Sequence, residues 1–174
     1  MPLRSDWSSK NCSLARGLDV LGDPWTSLIL REVFFGNGRF DAMKQRLGIA
    51  DAVLSKRLGT LVAAGLLERR NYCDGGRTRQ EYVLTAKGED TLPILNALIL
   101  WSEKYVEAPA ERAHMRIIHA ECGNPTSSAD TCTHCGKPLT AANTSWHSLT
   151  RTPDPVPLAT APSATALSGT EIRP

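Results

Sequence analysis

The stretch FDAMKQRLGIADAVLSKRLGTLVAAG, residues 40–65, decides the fold. Phe40, Met43 and Leu47 share one face at helical spacing, and Gly48-Ile49-Ala50 interrupts the period. Asp51 opens a second helix whose Leu54, Leu58 and Leu61 form one buried line. Gly65 follows, where the chain must leave the helix. Two short helices joined by a glycine-containing turn make a helix-turn-helix pattern.

Downstream the period changes. Residues 67–72 and 80–84 read as strands, and Gly75-Gly76 between them is a hairpin signal. Upstream, Cys12 precedes a helix with Leu14, Leu18 and Leu21 on one face, ended by Gly22. Asp23 is an N-cap with Pro24 at the first helical position. The helix holding Trp25, Leu28, Ile29, Leu30 and Val33 runs to Gly36-Asn37-Gly38. Trp25 is expected in the core rather than lining a ligand crevice. Thr85 caps a long helix over 86–106 that Pro93 kinks or restarts. The expected fold class is mostly α with a small β-hairpin wing (α+β): a winged helix-turn-helix domain plus a small C-terminal knuckle segment.

The organisation that follows is a winged helix-turn-helix domain at 1–106 and a polar connector at 107–118. A small zinc-ribbon-like segment at 119–150 comes next, then a flexible Pro/Ala/Ser/Thr-rich tail at 151–174. With 174 residues, 41% apolar and 22% charged, the chain has room for one ordinary domain and an appendage. No apolar run approaches the ~18 residues of a membrane span. The N-terminus has no apolar signal region, and three of the five cysteines crowd into a short late stretch. This pattern predicts a cytoplasmic protein rather than a secreted disulfide framework.

Charge is unevenly placed. Between Arg39 and Arg79 stand nine basic and four acidic residues, an excess of +5 where the whole chain carries +2. A local positive field over a helix-turn-helix and wing is the footprint of a surface that meets phosphates. On the second helix Ala52, Lys56, Gly59 and Ala63 point away from the leucine line, flanked by Ser55 and Arg57. Small outward residues let a helix approach base edges in the major groove. Candidate DNA-binding residues are Ser55, Lys56 and Arg57 on that helix, Arg39 at the start of the preceding one, and Arg77 and Arg79 on the wing. Taken singly, Lys56 or Arg57 reads as an ordinary solvated residue; the combination carries the expectation.

These motifs together resemble the HxlR-type transcriptional regulators, relatives of the MarR group. The resemblance runs through LGDPWTSLILRE (21–32), GRFDAM (38–43), LSKRL (54–58), AGLLER (64–69) and EYVLT (81–85), and covers roughly residues 12–106. It implies a homodimer on double-stranded DNA, built from the first helix and the 86–106 helix. That agrees with an apolar stripe over Leu92–Val106 too wide for one small domain to cover. The wing departs from the family, where prolines often precede the second strand and this chain has Cys73-Asp74-Gly75-Gly76.

The resemblance also implies oxidant or electrophile sensing at Cys12. Independently, Cys12 opens a helix whose dipole favours thiolate, with Arg16 one turn on. A structural cysteine without a sensory role is the competing reading. Cys73 lacks an obvious activating partner beyond nearby arginines.

Late in the chain, His119-Ala-Glu-Cys122-Gly123 and Cys132-Thr-His-Cys135-Gly136 repeat a ligand-x-x-ligand-Gly unit, with nine residues between Cys122 and Cys132. Glycine there lets backbone amides turn toward a sulfur. His119, Cys122, Cys132 and Cys135 form a closed His/Cys₃ set, the composition of a structural zinc site. Such a short segment cannot bury its own core, so a metal would hold it together. A metal-free hairpin, a Cys132–Cys135 disulfide and substitution of His134 for His119 remain open. No catalytic arrangement stands out, so the chain is expected not to be an enzyme. A winged-helix protein-interaction module and a small-molecule-responsive regulator without thiol sensing are the alternative functions.

Overall fold

The computed structural model describes residues 7–107, 114–148 and 154–161. The elements in order are α1 (Ser13–Leu21), α2 (Pro24–Phe34), α3 (Phe40–Leu47), α4 (Asp51–Ala63), β1 (Leu67–Asp74) and β2 (Arg77–Leu84). They continue with α5 (Ala86–Glu89), α6 (Leu92–Tyr105), β3 (Met115–His119), β4 (Asn124–Thr126), β5 (Thr144–Ser148) and β6 (Val156–Pro157). The α+β winged helix-turn-helix class is the one observed.

Local chemistry sets the boundaries. Asp23 accepts a hydrogen bond from the Trp25 amide at 3.0 Å and starts α2, with Pro24 in its first turn. Gly48 ends α3 at φ 62°, a conformation that favours glycine. β1 and β2 pair antiparallel from Leu67↔Leu84 to Asp74↔Arg77, joined by Gly75-Gly76 with φ 56° and 77°. Two positive-φ residues suit a two-residue turn whose twist matches the strands. The hairpin is therefore longer than the apolar alternation suggested, because the tight turn propagates the ladder through exposed residues 73–79.

The core gathers Ile29, Leu30, Val33 and Phe34 of α2, Met43, the Leu54–Leu58–Leu61 line, Leu66, Leu67, Leu84, Leu92 and Leu95. Trp25 is half-buried and packs against this cluster. Gly38 meets β2 so closely that a Cβ would lie 2.1 Å from the Tyr82 carbonyl oxygen. The 86–106 helix is two helices: α5 stops at Glu89, and α6 restarts with Pro93 in its first turn, where a missing N–H costs nothing.

The C-terminal region differs from expectation. Met115–His119 is a strand rather than connector, since Ile117 and His119 are buried on one side of β3. It lies in a four-stranded antiparallel sheet of order β4-β3-β5-β6, with Ile117 opposite Trp146 and His119 opposite Thr144. The expected flexible tail is in part this sheet's edge. Val156 pairs with Trp146, Leu158 is buried, and the Ala159 amide donates to the Phe34 carbonyl at 2.7 Å. Backbone pairing and one buried leucine order a stretch that lacks apolar periodicity. Connector residues 108–113 and tail residues 151–153 and 162–174 lie outside the described residues.

Nor is this sheet a separate appendage. Trp146 is fully buried, its ring 5.5 Å from both Phe34 and Phe35, and its indole N–H donates to Asn96 Oδ1 at 2.9 Å. The Asn96 amide donates to the Ala129 carbonyl at 2.8 Å. Farther along α6, Glu103 accepts from the Met115 amide at 2.8 Å and pairs with His114. One apolar core serves both halves.

Candidate nucleic-acid interface and metal centre

α4 is held by its leucines and by an ion pair. Arg57 Nη2 lies 2.5 Å from Asp23 Oδ2, with both side chains mostly covered. The carboxylate that caps α2 thus also clasps α4. Arg57 differs from its expected place: it faces α2 instead of flanking the solvent face, and its Nε is buried without a partner among the described residues. Ser55 and Lys56 are exposed, as are Ala52 and Ala63.

Arg39 is the N-cap residue of α3, and its guanidinium sits 4.3 Å from the ring centre of Tyr72 on β1. A cation over a phenol face is attracted by the ring quadrupole. The Arg39 backbone also bridges to Glu81 on β2, next to the Tyr82 amide donating to Gly38 at 2.8 Å. Wing and helix-turn-helix are stitched together at this point. Tyr72 was not singled out by sequence reasoning; nothing in the local pattern says which arginine lies over it. Arg77 and Arg79 are exposed on β2, with Arg79 3.8 Å from Asp74. Lys44 pairs with Asp51 at 2.8 Å, and that hydrogen bond and charge raise the lysine's pKa.

Outside the helix-turn-helix and wing, α1 and α6 expose apolar groups. Leu14, Leu18, Ile94, Leu98, Trp101, Tyr105 and Val106 are all solvent-facing in the single chain. Cys12 is exposed at the N-cap of α1. Arg16, expected beside its thiolate, instead donates to the Lys10 carbonyl at 2.7 Å and to the Ser13 hydroxyl. Cys73 is exposed on the wing. Among the described residues no helix is long and apolar enough to cross a membrane.

His119 at the end of β3, Cys122 in the turn to β4, and Cys132 and Cys135 in the loop between β4 and β5 are the four groups read as ligands. His119, Cys122, Cys132 and Cys135 bring one ligand atom each to within 4.8 Å of one another. His119 Nδ1 is 3.2 Å from Cys122 Sγ and 3.3 Å from Cys135 Sγ, and Cys122 Sγ is 3.7 Å from Cys132 Sγ. Metal–sulfur bonds of about 2.3 Å in a tetrahedron put sulfurs roughly 3.8 Å apart, close to the observed pair. The nitrogen–sulfur separations are somewhat shorter than the ~3.6 Å the same geometry gives. His134 is exposed and stands outside this group, which leaves His119 as the histidine of the set.

The knuckle glycines do what their spacing suggests. Gly123 and Gly136 have φ of 67° and 74°, and their amides close tight turns onto the His119 and Cys132 carbonyls. The turn aims the Cys135 and His134 amides at Cys132, and these outweigh burial to lower that thiol's pKa. For Cys135, the Lys137 amide pulls the pKa down. Burial and the neighbouring thiols Cys132 and Cys122 outweigh it, and the pKa rises. All five cysteines are unbridged. His119 Nε2 is buried without a hydrogen-bond partner among the described residues, so Nδ1 is the ring nitrogen aimed into the cluster.

Relatives converge on one identity. An HxlR-like helix-turn-helix family model matches residues 20–110. The uncharacterized HTH-type transcriptional regulator Rv3095 of Mycobacterium tuberculosis is 39% identical over 145 residues, 83% of this chain and 86% of its own length. A second uncharacterized HTH-type transcriptional regulator, from Methanothermobacter thermautotrophicus, is 35% identical over 95 residues, 54% of this chain and 72% of its own. The crystal structure of PA1607, a transcription-factor candidate, superposes with a TM-score of 0.65 at 36% identity, covering 78% of this chain and 93% of that one. The matches to Rv3095 and PA1607 are too long to stop at residue 110, so they take in part of the C-terminal region. The chain belongs to the HxlR-like helix-turn-helix family of transcriptional regulators.

Proposed function

We propose that this regulator reads a specific duplex sequence as a homodimer, with α4 in the major groove and the β1–β2 hairpin beside it. The observation that carries the reading is the exposed face of α4. Small residues and Ser55 and Lys56 stand outward, while Leu54, Leu58 and Leu61 are fully buried behind them. Ser55 and Lys56 donate to bases or phosphates, Arg39 to a backbone phosphate, and Arg77 and Arg79 along the wing. Arg57 serves the interface at one remove, by fixing the pitch of α4 against α2. The exposed apolar groups of α1 and α6 support a second copy as the dimer partner, since a patch of that kind on a lone chain is a liability. The chain carries out no catalysis in this reading.

Cys12 is the proposed oxidant-responsive thiol of the dimer, exposed at the N-cap of α1 where a small oxidant can reach it. His119, Cys122, Cys132 and Cys135 hold one structural zinc ion with no open coordination position. The test is fluorescence anisotropy of reduced protein on duplex from its own upstream region and on a scrambled duplex, at ~150 mM salt. A preference of about a hundredfold or more supports sequence reading; equal affinities refute it. Repeating the titration with oxidant on parent and Cys12→Ser isolates the thiol. An identical oxidant response in both removes Cys12 from the mechanism.

A further inference from the structure

The geometry points to the His119/Cys122/Cys132/Cys135 centre as a control site for the DNA-binding half: a bound zinc ion sets the pose of α6. This rests on the zinc reading above. Two short routes join the centre to α6 and the end of α2. Along β3, His119 is two residues from Ile117, which pairs with Trp146; that ring packs on Phe34 and Phe35 and donates to Asn96. Along the second knuckle, Cys132 is buried, and Thr126 bonds to Thr131 and Thr133 on either side of it. Three residues before Cys132, the Ala129 carbonyl takes the Asn96 amide. Both routes meet at Asn96, fully buried in the second turn of α6.

Asn96 matters because a buried carboxamide needs its partners. Its oxygen accepts from Trp146 of β5 and its amide donates to the Ala129 carbonyl in the loop after β4, so both partners come from the C-terminal region. If the sheet loosens, Asn96 must be left unpaired in the core or turned toward water, which rotates or frays α6. The opposite side of α6 carries Ile94, Leu98, Trp101 and Tyr105, the proposed contact for a second copy. Changing the pose of α6 therefore changes the separation of the two α4 helices. The sheet has few buried apolar residues of its own, so four metal bonds supply much of what keeps it closed. The helix-turn-helix shares this core, but α3 and α4 close on α2 through Met43 and the Leu54–Leu58–Leu61 line, which the bonds to Asn96 do not touch.

Hydrogen exchange read by mass spectrometry on the full chain tests this, with zinc bound and after chelation, alongside metal analysis. The expected result is about one zinc per chain. On its removal, exchange should rise about tenfold or more in β3 and β5 and also in residues 92–103, with α3 and α4 little changed. Trp146→Phe keeps a ring in the core but deletes the indole donor. It should retain zinc and still raise exchange around residue 96. A rise confined to 119–139 overturns the coupling while leaving the zinc site standing, as does an α6 unaltered in Trp146→Phe. A rise spread equally over α3 and α4 also overturns it, because zinc would then be a general folding staple. Failure to take up zinc at all removes the zinc reading and this inference together.

Discussion

Truncating Trp146 to alanine should destabilise the whole described fold, not only the C-terminal sheet. The side chain is fully buried, tilted against Phe34 and edge-on to Phe35 at 5.5 Å. Losing a buried tryptophan of this kind costs about 3–5 kcal/mol from transfer and cavity terms. The mutation also strands Asn96 Oδ1 in the core, with a desolvation penalty of roughly 1–3 kcal/mol. Neighbouring effects do not simply add, so ~4 kcal/mol is the working figure. Against a usual total of about 5–15 kcal/mol this is a large fraction. It corresponds to a fall in Tm on the order of 10 °C for a chain of this size. The assay is urea unfolding followed by far-UV circular dichroism, which reports mainly the helices α1–α6, and by tryptophan fluorescence. One coincident transition with a lowered midpoint is expected. Two transitions, with the helical one at the parent midpoint, would refute the shared core and return the sheet to the status of an appendage.

Other substitutions separate support from contact. Arg57→Ala should lower stability by about 1 kcal/mol through loss of the mostly covered Asp23 pair, whereas Lys56→Ala should leave unfolding within ~0.5 kcal/mol. On duplex DNA the ranking changes: Lys56→Ala should reduce the salt slope by about 0.9, the signature of one lost phosphate contact. Equal loss of stability in both variants would contradict the assigned roles. Gly38→Ala should cost more than ~2 kcal/mol and detach the wing, since its Cβ would sit 2.1 Å from a backbone oxygen; near-parental melting would count against the close approach. Acid should release zinc, because thiolates and a neutral imidazole bind the ion and protons compete for all four groups. Chelator-accessible zinc should therefore rise as pH falls, and release independent of pH would argue against this ligand set.

Much of the molecule could be read along the chain because its cues are local. The leucine line of α4, the Asp23-Pro24 start of α2, the Gly75-Gly76 turn and the two ligand-x-x-ligand-Gly units each depend on a few neighbouring residues. Periodicity, capping and turn chemistry act over that range. The His119 and Cys132 pairs come together because the β4–β5 loop folds its knuckle back onto the β3–β4 turn, and their spacing already limited the possible ligands.

What the tertiary structure alone decided involves partners far apart in sequence. Arg57 looked like a surface base until the fold placed Asp23 within 2.5 Å of it. Arg39 over Tyr72 joins residues on different elements that no period relates. Asn96 merely interrupts an apolar run in sequence; its meaning comes from Trp146 and Ala129, fifty and thirty-three residues away. The ordered edge at residues 156–161 has no apolar period, and its strand exists because β5 offered unpaired backbone groups to a chain passing beside Phe34. Local rules report which element a residue belongs to. Which element it serves depends on burial and pairing across the fold, and these arise only when distant segments share one core.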